Sequence, residues 1–354
     1  MFSDKRFMLQ ALALAKKGLG SVAPNPMVGA LVVKNQKVVG KAWHQKTGEA
    51  HAEVLALRSA GKASVGSTIY VTLEPCSHQG KTPPCTEAIL ASGVKRVVYG
   101  SRDPNPKASG GGEFLRARGL EVKEGVCAEL ERQLNRGWRN LVLTGHPFVT
   151  LKLALSSDSK LSAGRGLQTQ ISCRESHRLV QCLRAYSSAI LVGAETCRVD
   201  DPLLTNRSGF GREPKRMVVS SDLKLPLEAK MLQSNAQIVC PLGLNQLLKQ
   251  SFLSRGIELI ELDSQDSQPN LSSLFERLGK AGLESVLVEG GAELSKSLLR
   301  SALVDRLLIF KSSDSLGGDG ASLEVEDYLK TAGLELRSEK RSGSDLLSCY
   351  QRSN

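Results

Sequence analysis

Two consecutive α/β domains are the fold class this sequence predicts, on three observations. The chain has 354 residues, 41% of them apolar, and at about 150 residues per domain that length fills two hydrophobic cores. Short apolar runs alternate with stretches of helical periodicity through both halves, the pattern of a sheet with crossover helices. Charge is divided unequally: residues 1–145 hold 21 Lys or Arg against 11 Asp or Glu, and residues 146–354 hold 26 against 25. The resulting +10 and +1 separate two domains and suit the first to an anionic partner, nucleic acid or a phosphorylated small molecule. A basic surface that serves solubility alone is the plainer alternative.

In the first half, Phe7, Met8, Ala11, Leu12 and Ala15 share one helical face and Gly18 stops it, giving a helix over 4–17. Strands are expected at 28–33, 37–42, 67–73, 94–100 and 120–123, and helices at 51–60, 86–92, 113–117 and 128–136. Thr144-Gly145-His146-Pro147 joins chain breakers to the change in charge balance, so the domains are expected to be 1–145 and 146–354. Beyond it, strands fit 148–155, 189–192, 216–220, 237–240, 258–261, 285–289 and 304–310, and helices fit 174–184, 244–251, 271–281 and 292–300. Residues 263–270 read as a polar surface loop. Nothing approaches the roughly 18 to 20 apolar residues of a membrane span. Asp4, Lys5 and Arg6 lie among apolar positions at helical spacing, so no secretion signal is read and the expected compartment is the cytoplasm. Eight cysteines in such a chain are thiols or metal ligands rather than a disulfide scaffold.

The densest chemistry lies in the first half. His51-Ala52-Glu53 opens a predicted helix, Pro75-Cys76 follows a predicted strand, and Cys85 opens the next helix. One imidazole and two thiolates make a three-ligand zinc site with a fourth position left for water, the catalytic arrangement. Both cysteines are placed at or near helix N-termini, where the dipole favours the thiolate. Glu53, two residues beyond the ligand, is placed to shuttle a proton between water and a leaving amine. Two buried structural cysteines beside an N-cap histidine are the bland alternative. Zinc nucleobase deaminases carry H-x-E followed by P-C-x-x-C, whereas eight residues separate Cys76 from Cys85 here.

In the second half Lys152 interrupts an otherwise apolar strand. A snorkelling surface lysine on the exposed face is the favoured explanation, an anion or polar cleft nearby the other. Gly290-Gly291 between a strand and a helix start offers a phosphate cradle, although such a pair is often only a tight turn. No G-x-G-x-x-G occurs, so the Rossmann dinucleotide fingerprint is absent.

The run His51-Ala52-Glu53 with Thr72-Leu-Glu-Pro-Cys76-Ser-His-Gln-Gly-Lys-Thr-Pro-Pro-Cys85 resembles the bacterial bifunctional riboflavin biosynthesis deaminase/reductase family, as do Pro24-Asn25-Pro26-Met-Val-Gly29 and Arg102-Asp103-Pro-Asn-Pro106. The resemblance implies an N-terminal cytidine-deaminase-like domain and a C-terminal dihydrofolate-reductase-like domain. It implies hydrolytic deamination of 2,5-diamino-6-(5-phosphoribosylamino)pyrimidin-4(3H)-one with one Zn2+ per chain, then NADPH reduction of the ribosyl group to ribityl. Asn25, His44, His78 and Lys81 fall at its pyrimidine and ribose-phosphate positions. Ala154, Thr196, Asp200 and Gly291 fall at its NADPH positions, and Lys152, Gln168, Arg184, Leu204, Arg207 and Glu289 are expected about the reductase substrate. Three departures touch this half: Asp158-Ser159 where the family reads Asp-Gly, Gln168-Thr-Gln170-Ile-Ser172 for Ser-x-Trp-Ile-Thr, and Ser220-Ser221 for Asp-Ser. A phosphorylated small-molecule substrate, no nucleic acid, no membrane and a homo-oligomer are the expected partnerships. The competing readings are a deaminase with a weakened reductase domain, a nucleic-acid base deaminase with a basic face, and a zinc-stabilised interaction protein.

Overall fold

The computed structural model describes residues 2–80, 83–164, 166–233, 235–265 and 267–352. The chain divides into two units, Met1–Gly145 and His146–Asn354. In the first, α1 (Phe2–Ala15) precedes β1 (Gly29–Lys34) and β2 (Lys37–Trp43); then come α2 (Ala52–Ala60), β3 (Thr68–Leu73), α3 (Cys85–Ala91), β4 (Arg96–Ser101), α4 (Gly111–Arg116), β5 (Glu121–Lys123), α5 (Ala128–Leu134) and α6 (Arg136–Thr144). The sheet order is β2-β1-β3-β4-β5, antiparallel across β2, β1 and β3 and parallel from β3 to β5. Alternation along β1 splits the core in two. Leu31 and Val33 meet Phe7, Met8, Ala11 and Leu12 of α1 on one face, while Ala30 and Val32 meet Ala52, Ala56 and Leu57 of α2 and Ile89 of α3 on the other. A Cβ on Gly29 would fall 2.1 Å from the Ala11 carbonyl oxygen, so only glycine lets α1 lie this close to the strand.

The second unit runs β6 (Phe148–Leu155), α7 (Arg174–Tyr186), β7 (Ala189–Gly193), α8 (Ala194–Asp200), β8 (Lys215–Val219), β9 (Ala236–Pro241), α9 (Gln246–Leu253), β10 (Glu258–Leu262), β11 (Ser264–Gln265), β12 (Gln268–Pro269), α10 (Leu271–Lys280), β13 (Ser285–Val288), α11 (Ala292–Arg300), β14 (Arg306–Lys311), α12 (Glu326–Ala332), β15 (Leu334–Ser342) and β16 (Asp345–Arg352). Its nine-stranded sheet is ordered β10-β9-β8-β7-β13-β6-β14-β16-β15. The pairings are parallel as far as β14, and the last two strands add antiparallel. Leu151, Leu153 and Leu155 of β6 pack with Leu274, Phe275 and Leu298 of α10 and α11. The alternate residues of β6, Lys152 and Ala154, therefore lie on the opposite face of the sheet.

Several sequence expectations are corrected here. The helix expected over 128–136 breaks at Asn135, whose backbone (φ −101°, ψ 21°) leaves the helical region, and a second helix continues from Arg136. Residues 263–270 are not a plain loop: β11 and β12 pair there as a short antiparallel hairpin that buries Pro269. Beyond Lys311 the sequence suggested no element, yet α12, β15 and β16 form. The strand β15 is an edge with both faces wet over most of its length, so it lacks the alternation that marks a half-buried strand. Ser159 takes φ +59°, the left-handed region that glycine enters freely. That is a physical reason for the Asp-Gly of the resembling family. The neighbouring Asp158 carboxylate accepts the backbone N–H groups of Leu316 and Gly317 at 3.0 and 2.9 Å, tying two loops together.

Candidate active sites

The three sequence-predicted metal ligands come together from three elements. His51 is the N-cap of α2 and makes no side-chain capping bond, so its ring turns toward the cysteines. Cys76 lies just past β3, and Cys85 is the first residue of α3. Contrary to expectation, Cys76 is not at a helix start in the sequence, but it reaches one through space. The Cys85 N–H donates to Cys76 Sγ at 3.4 Å, and the Thr86 N–H donates to the Cys76 carbonyl at 3.3 Å. A Cβ on Gly111 would fall 1.8 Å from the Pro75 carbonyl oxygen, so the ligand turn is also seated on the N-terminus of α4.

His51 Nδ1 lies 3.2 Å from Cys85 Sγ and 3.6 Å from Cys76 Sγ, and the three donor atoms all lie within 4.8 Å of one another. Tetrahedral zinc, with bonds of about 2.3 Å to sulfur and about 2.0 Å to nitrogen, spaces its donors by about 3.5 to 3.8 Å. Charge agrees with geometry. The Cys85 thiol and His51 hydrogen-bond to Cys76 and hold its thiol down to about 4, whereas Cys85 is pushed well up by Cys76 and by burial. Alone, the cluster supports one thiolate; a second needs a compensating dication. The donor set therefore fits zinc.

Glu53 sits in the first turn of α2, two residues from His51, and is 4% exposed. Burial pushes its carboxyl upward, against the pull of His51. His44 is buried, and its ring meets that of His51 edge-on at 5.4 Å. The Ala50 carbonyl lies 3.4 Å from His44 Nδ1, and Asn25 Nδ2 lies 3.2 Å from His44 Nε2. Because a carbonyl only accepts, the Nδ1–H tautomer satisfies both contacts, with Asn25 donating to Nε2. Asn25, His44 and His51 are thus one contiguous group. His78 is exposed on the loop between the cysteines, and Lys81 lies outside the described residues.

Sequence reasoning assigned no role to a buried polar network beside the cluster. Glu74 accepts the N–H groups of Gly112 and Asp103 at 3.0 and 3.2 Å. Glu131 is fully buried, bonded to Ser101 and 3.3 Å from Arg139. The carboxylate in Thr72-Leu-Glu74-Pro-Cys76 was the one available signal, a charge at the end of a buried strand. Asp103 is pushed up to about 6, first by burial and then by Glu74. A folded-state value above the ordinary 3.8 means that stability is lost as pH rises from about 4 through about 6. Asp103→Asn is therefore expected to gain about 1 to 2 kcal/mol relative to wild type above pH 6.5 and nothing near pH 4. The difference in Tm between the two proteins from pH 4 to 7.5 checks this; a difference independent of pH contradicts it.

In the second unit a cleft of about 1310 Å³ opens past the C-terminal ends of β7, β8 and β13, and Gly193, Thr196, Asp200, Val219, Ser221 and Gly291 line it. Parallel sheets place ligands at this end of their strands. Gly291 is the N-cap of α11 and brings no side-chain cap, which leaves first-turn N–H groups for an anion. Of the expected cofactor positions, Thr196, Asp200 and Gly291 line the cleft, whereas Ala154 is half-buried on β6 and is not in the lining. Gln168 is exposed, with Nε2 donating to the Asp200 carbonyl at 3.4 Å.

Lys152 is not a snorkelling surface lysine. Its face of β6 is the one α7 covers, so burial pushes its amine downward, against the field of Glu289 and with that of Arg184. Arg184 and Glu289 pair through two bonds of 2.7 and 2.9 Å, and Arg184 also donates to the Thr205 carbonyl at 3.3 Å. The Arg184 fork is thus occupied by Glu289 and the Thr205 carbonyl. Leu204 is buried at φ +53°, while Arg207 is exposed.

Comparison with known proteins finds one family match in each half of the chain. Residues 1–101 match the cytidine and deoxycytidylate deaminase zinc-binding region, and residues 147–348 match the RibD C-terminal domain. Fold and site together define a two-part enzyme, a zinc-binding deaminase of the cytidine deaminase class followed by a dihydrofolate-reductase-like reductase. The riboflavin biosynthesis protein RibD of Aquifex aeolicus is 38% identical over 99% of this chain and 98% of its own. The solved RibD of Acinetobacter baumannii superposes with a TM-score of 0.84 at 34% identity, covering 100% of this chain and 99% of that one. A diaminohydroxyphosphoribosylaminopyrimidine deaminase/5-amino-6-(5-phosphoribosylamino)uracil reductase from Thermotoga maritima gives a TM-score of 0.83 at 33% identity, with 99% of each chain covered. The chain belongs to the RibD family of bifunctional riboflavin biosynthesis enzymes. Among the described residues no helix is long and apolar enough to cross a membrane.

Proposed function

We propose that residues 1–145 deaminate 2,5-diamino-6-(5-phosphoribosylamino)pyrimidin-4(3H)-one and that residues 146–354 reduce the ribosyl group of the product to ribityl with NADPH. The observation that carries the reading is the His51, Cys76 and Cys85 cluster with buried Glu53 beside it. Zinc, when bound, lowers the pKa of a coordinated water and so supplies the nucleophile at neutral pH. Glu53 takes the proton from the attacking water and returns it to the exocyclic amine, which leaves as ammonia. Asn25 and His44 hold the pyrimidine by hydrogen bonds, and His78 and Lys81 serve the ribose phosphate.

In the second unit Thr196, Asp200 and Gly291 hold NADPH, which supplies the hydride. Arg184 and Glu289 act as a mutually oriented pair at the substrate, and exposed Arg207 is the arginine suited to its phosphate. Half-buried Lys152, in the field of Glu289, Arg184 and Asp200, serves the substrate beside them. Incubating purified protein with the diaminopyrimidine phosphate, with and without NADPH, tests both halves. Release of ammonia without NADPH and ribityl product only with it is the expected result; no ammonia under either condition refutes the deaminase reading.

The glutamines at 168 and 170 set an expectation for the rates. An amide replaces the hydrogen bonding of a hydroxyl but not the area and rigidity of an indole, and hydride transfer is sensitive to small misplacement. Deaminated ribosyl intermediate should therefore accumulate before ribityl product in the coupled assay, and Gln170→Trp should shorten that lag. Product without a lag, unchanged in the variant, would show these departures to be neutral.

A further inference from the structure

The break between α5 and α6 carries a buried amide that reaches across to the loop bearing Asn25. Asn135 is 2% exposed. Its Oδ1 accepts the Met27 N–H at 2.8 Å, and its Nδ2 donates to the Met27 carbonyl at 3.0 Å and to Glu131 Oε1 at 2.8 Å. The first two bonds copy one rung of an antiparallel ladder, a side-chain amide standing where a strand would be. The third fixes which way the amide faces. With Glu131 Oε2 engaged by Ser101 and Arg139, Oε1 is left to accept, so Nδ2 turns toward it and Oδ1 toward the Met27 N–H. Both amide hydrogens and the oxygen are satisfied by groups that no other side chain of this size matches. Aspartate lacks the two donors, and glutamine is longer by about one carbon–carbon bond, about 1.5 Å.

The loop is pinned on its other side by the metal-site group. The His44 N–H donates to the Val28 carbonyl at 2.8 Å, the Gly29 N–H donates to Thr72 Oγ1 at 3.1 Å, and Asn25 bonds His44. We infer that Asn135 is a positioning residue for deamination, holding the Met27 backbone so that Asn25 keeps its place against His44. The inference rests on the deaminase reading above. Glu131 acts one step further back, by orienting the amide of Asn135.

The test compares full-length wild type, Asn135→Ala, Asn25→Ala and the double variant for KM and kcat of deamination and for zinc content. Asn135→Ala is expected to raise KM by about tenfold or more, with kcat changed by about threefold at most and zinc kept at one per chain. In the Asn25→Ala background the same substitution should add less than about twofold, because its effect runs through Asn25. A KM within about twofold of wild type, or an undiminished tenfold effect in that background, overturns the inference. If Asn135→Ala does not fold, Glu131→Gln carries the test: KM rising by about threefold supports the inference and an unchanged KM overturns it. Wild-type protein that releases no ammonia would overturn the reading beneath it, and the inference with it.

Discussion

Cys85→Ser is expected to empty the metal cluster and abolish deamination together. The side chain is fully buried at the first turn of α3, and its sulfur lies 3.2 Å from His51 Nδ1. A serine hydroxyl is shorter, harder and does not ionise near neutrality, so it offers neither the reach nor the charge of a thiolate. Two remaining donors do not hold zinc against dilution, because affinity in such sites follows ligand number and charge. Elemental analysis should fall from about one zinc per chain toward zero, and ammonia release should fall to background. Reduction of separately supplied deaminated substrate should persist, since the reductase site lies in the other unit. Full zinc in the purified variant would remove Cys85 from the ligand set.

Glu53→Gln separates binding of the metal from use of it. Glutamine preserves the size of the side chain and its place in α2, and the ligands His51, Cys76 and Cys85 are untouched, so zinc content should stay at about one per chain. An amide cannot take a proton and return it, and loss of such a group costs roughly 10² to 10⁴ in rate. Deamination is expected to fall by about 10² or more, with a much smaller change in KM. Wild-type turnover in this variant would take Glu53 out of the mechanism.

The parts that were legible in the sequence are those where one residue type has few alternative uses. His51, Cys76 and Cys85 were readable because thiolate and imidazole donors at element ends serve a narrow range of purposes, and the structure brings the three together. Core strands such as β1, β3, β6 and β13 were readable because burial on both faces leaves apolar runs. Lys152 was ambiguous for the reason that its meaning depends on α7, a helix remote in sequence that covers its face of the sheet. Asn135 gave no signal at all. An asparagine near a helix end reads as a solvated turn, and only tertiary structure shows that its amide is used by Met27, more than a hundred positions away. The helix α8 was missed because it buries little beyond Cys197, too little for a periodic pattern. The strand β15 was missed because most of its residues face water on both sides.

The order in which the strands pair also sets a timetable for synthesis. All strand partners in the first sheet come from residues 29–123, so that sheet can close as soon as the first unit has emerged. The second sheet cannot, because β14 lies between β6 and β16, joining the beginning of the unit to residues 345–352. At roughly 5 to 20 residues per second, translating the second unit takes about 10 to 40 s. During that interval all five strands of the first sheet are available, while the second sheet still lacks its last strands. A chain interrupted within the second unit therefore has every strand of the first sheet and lacks part of the second.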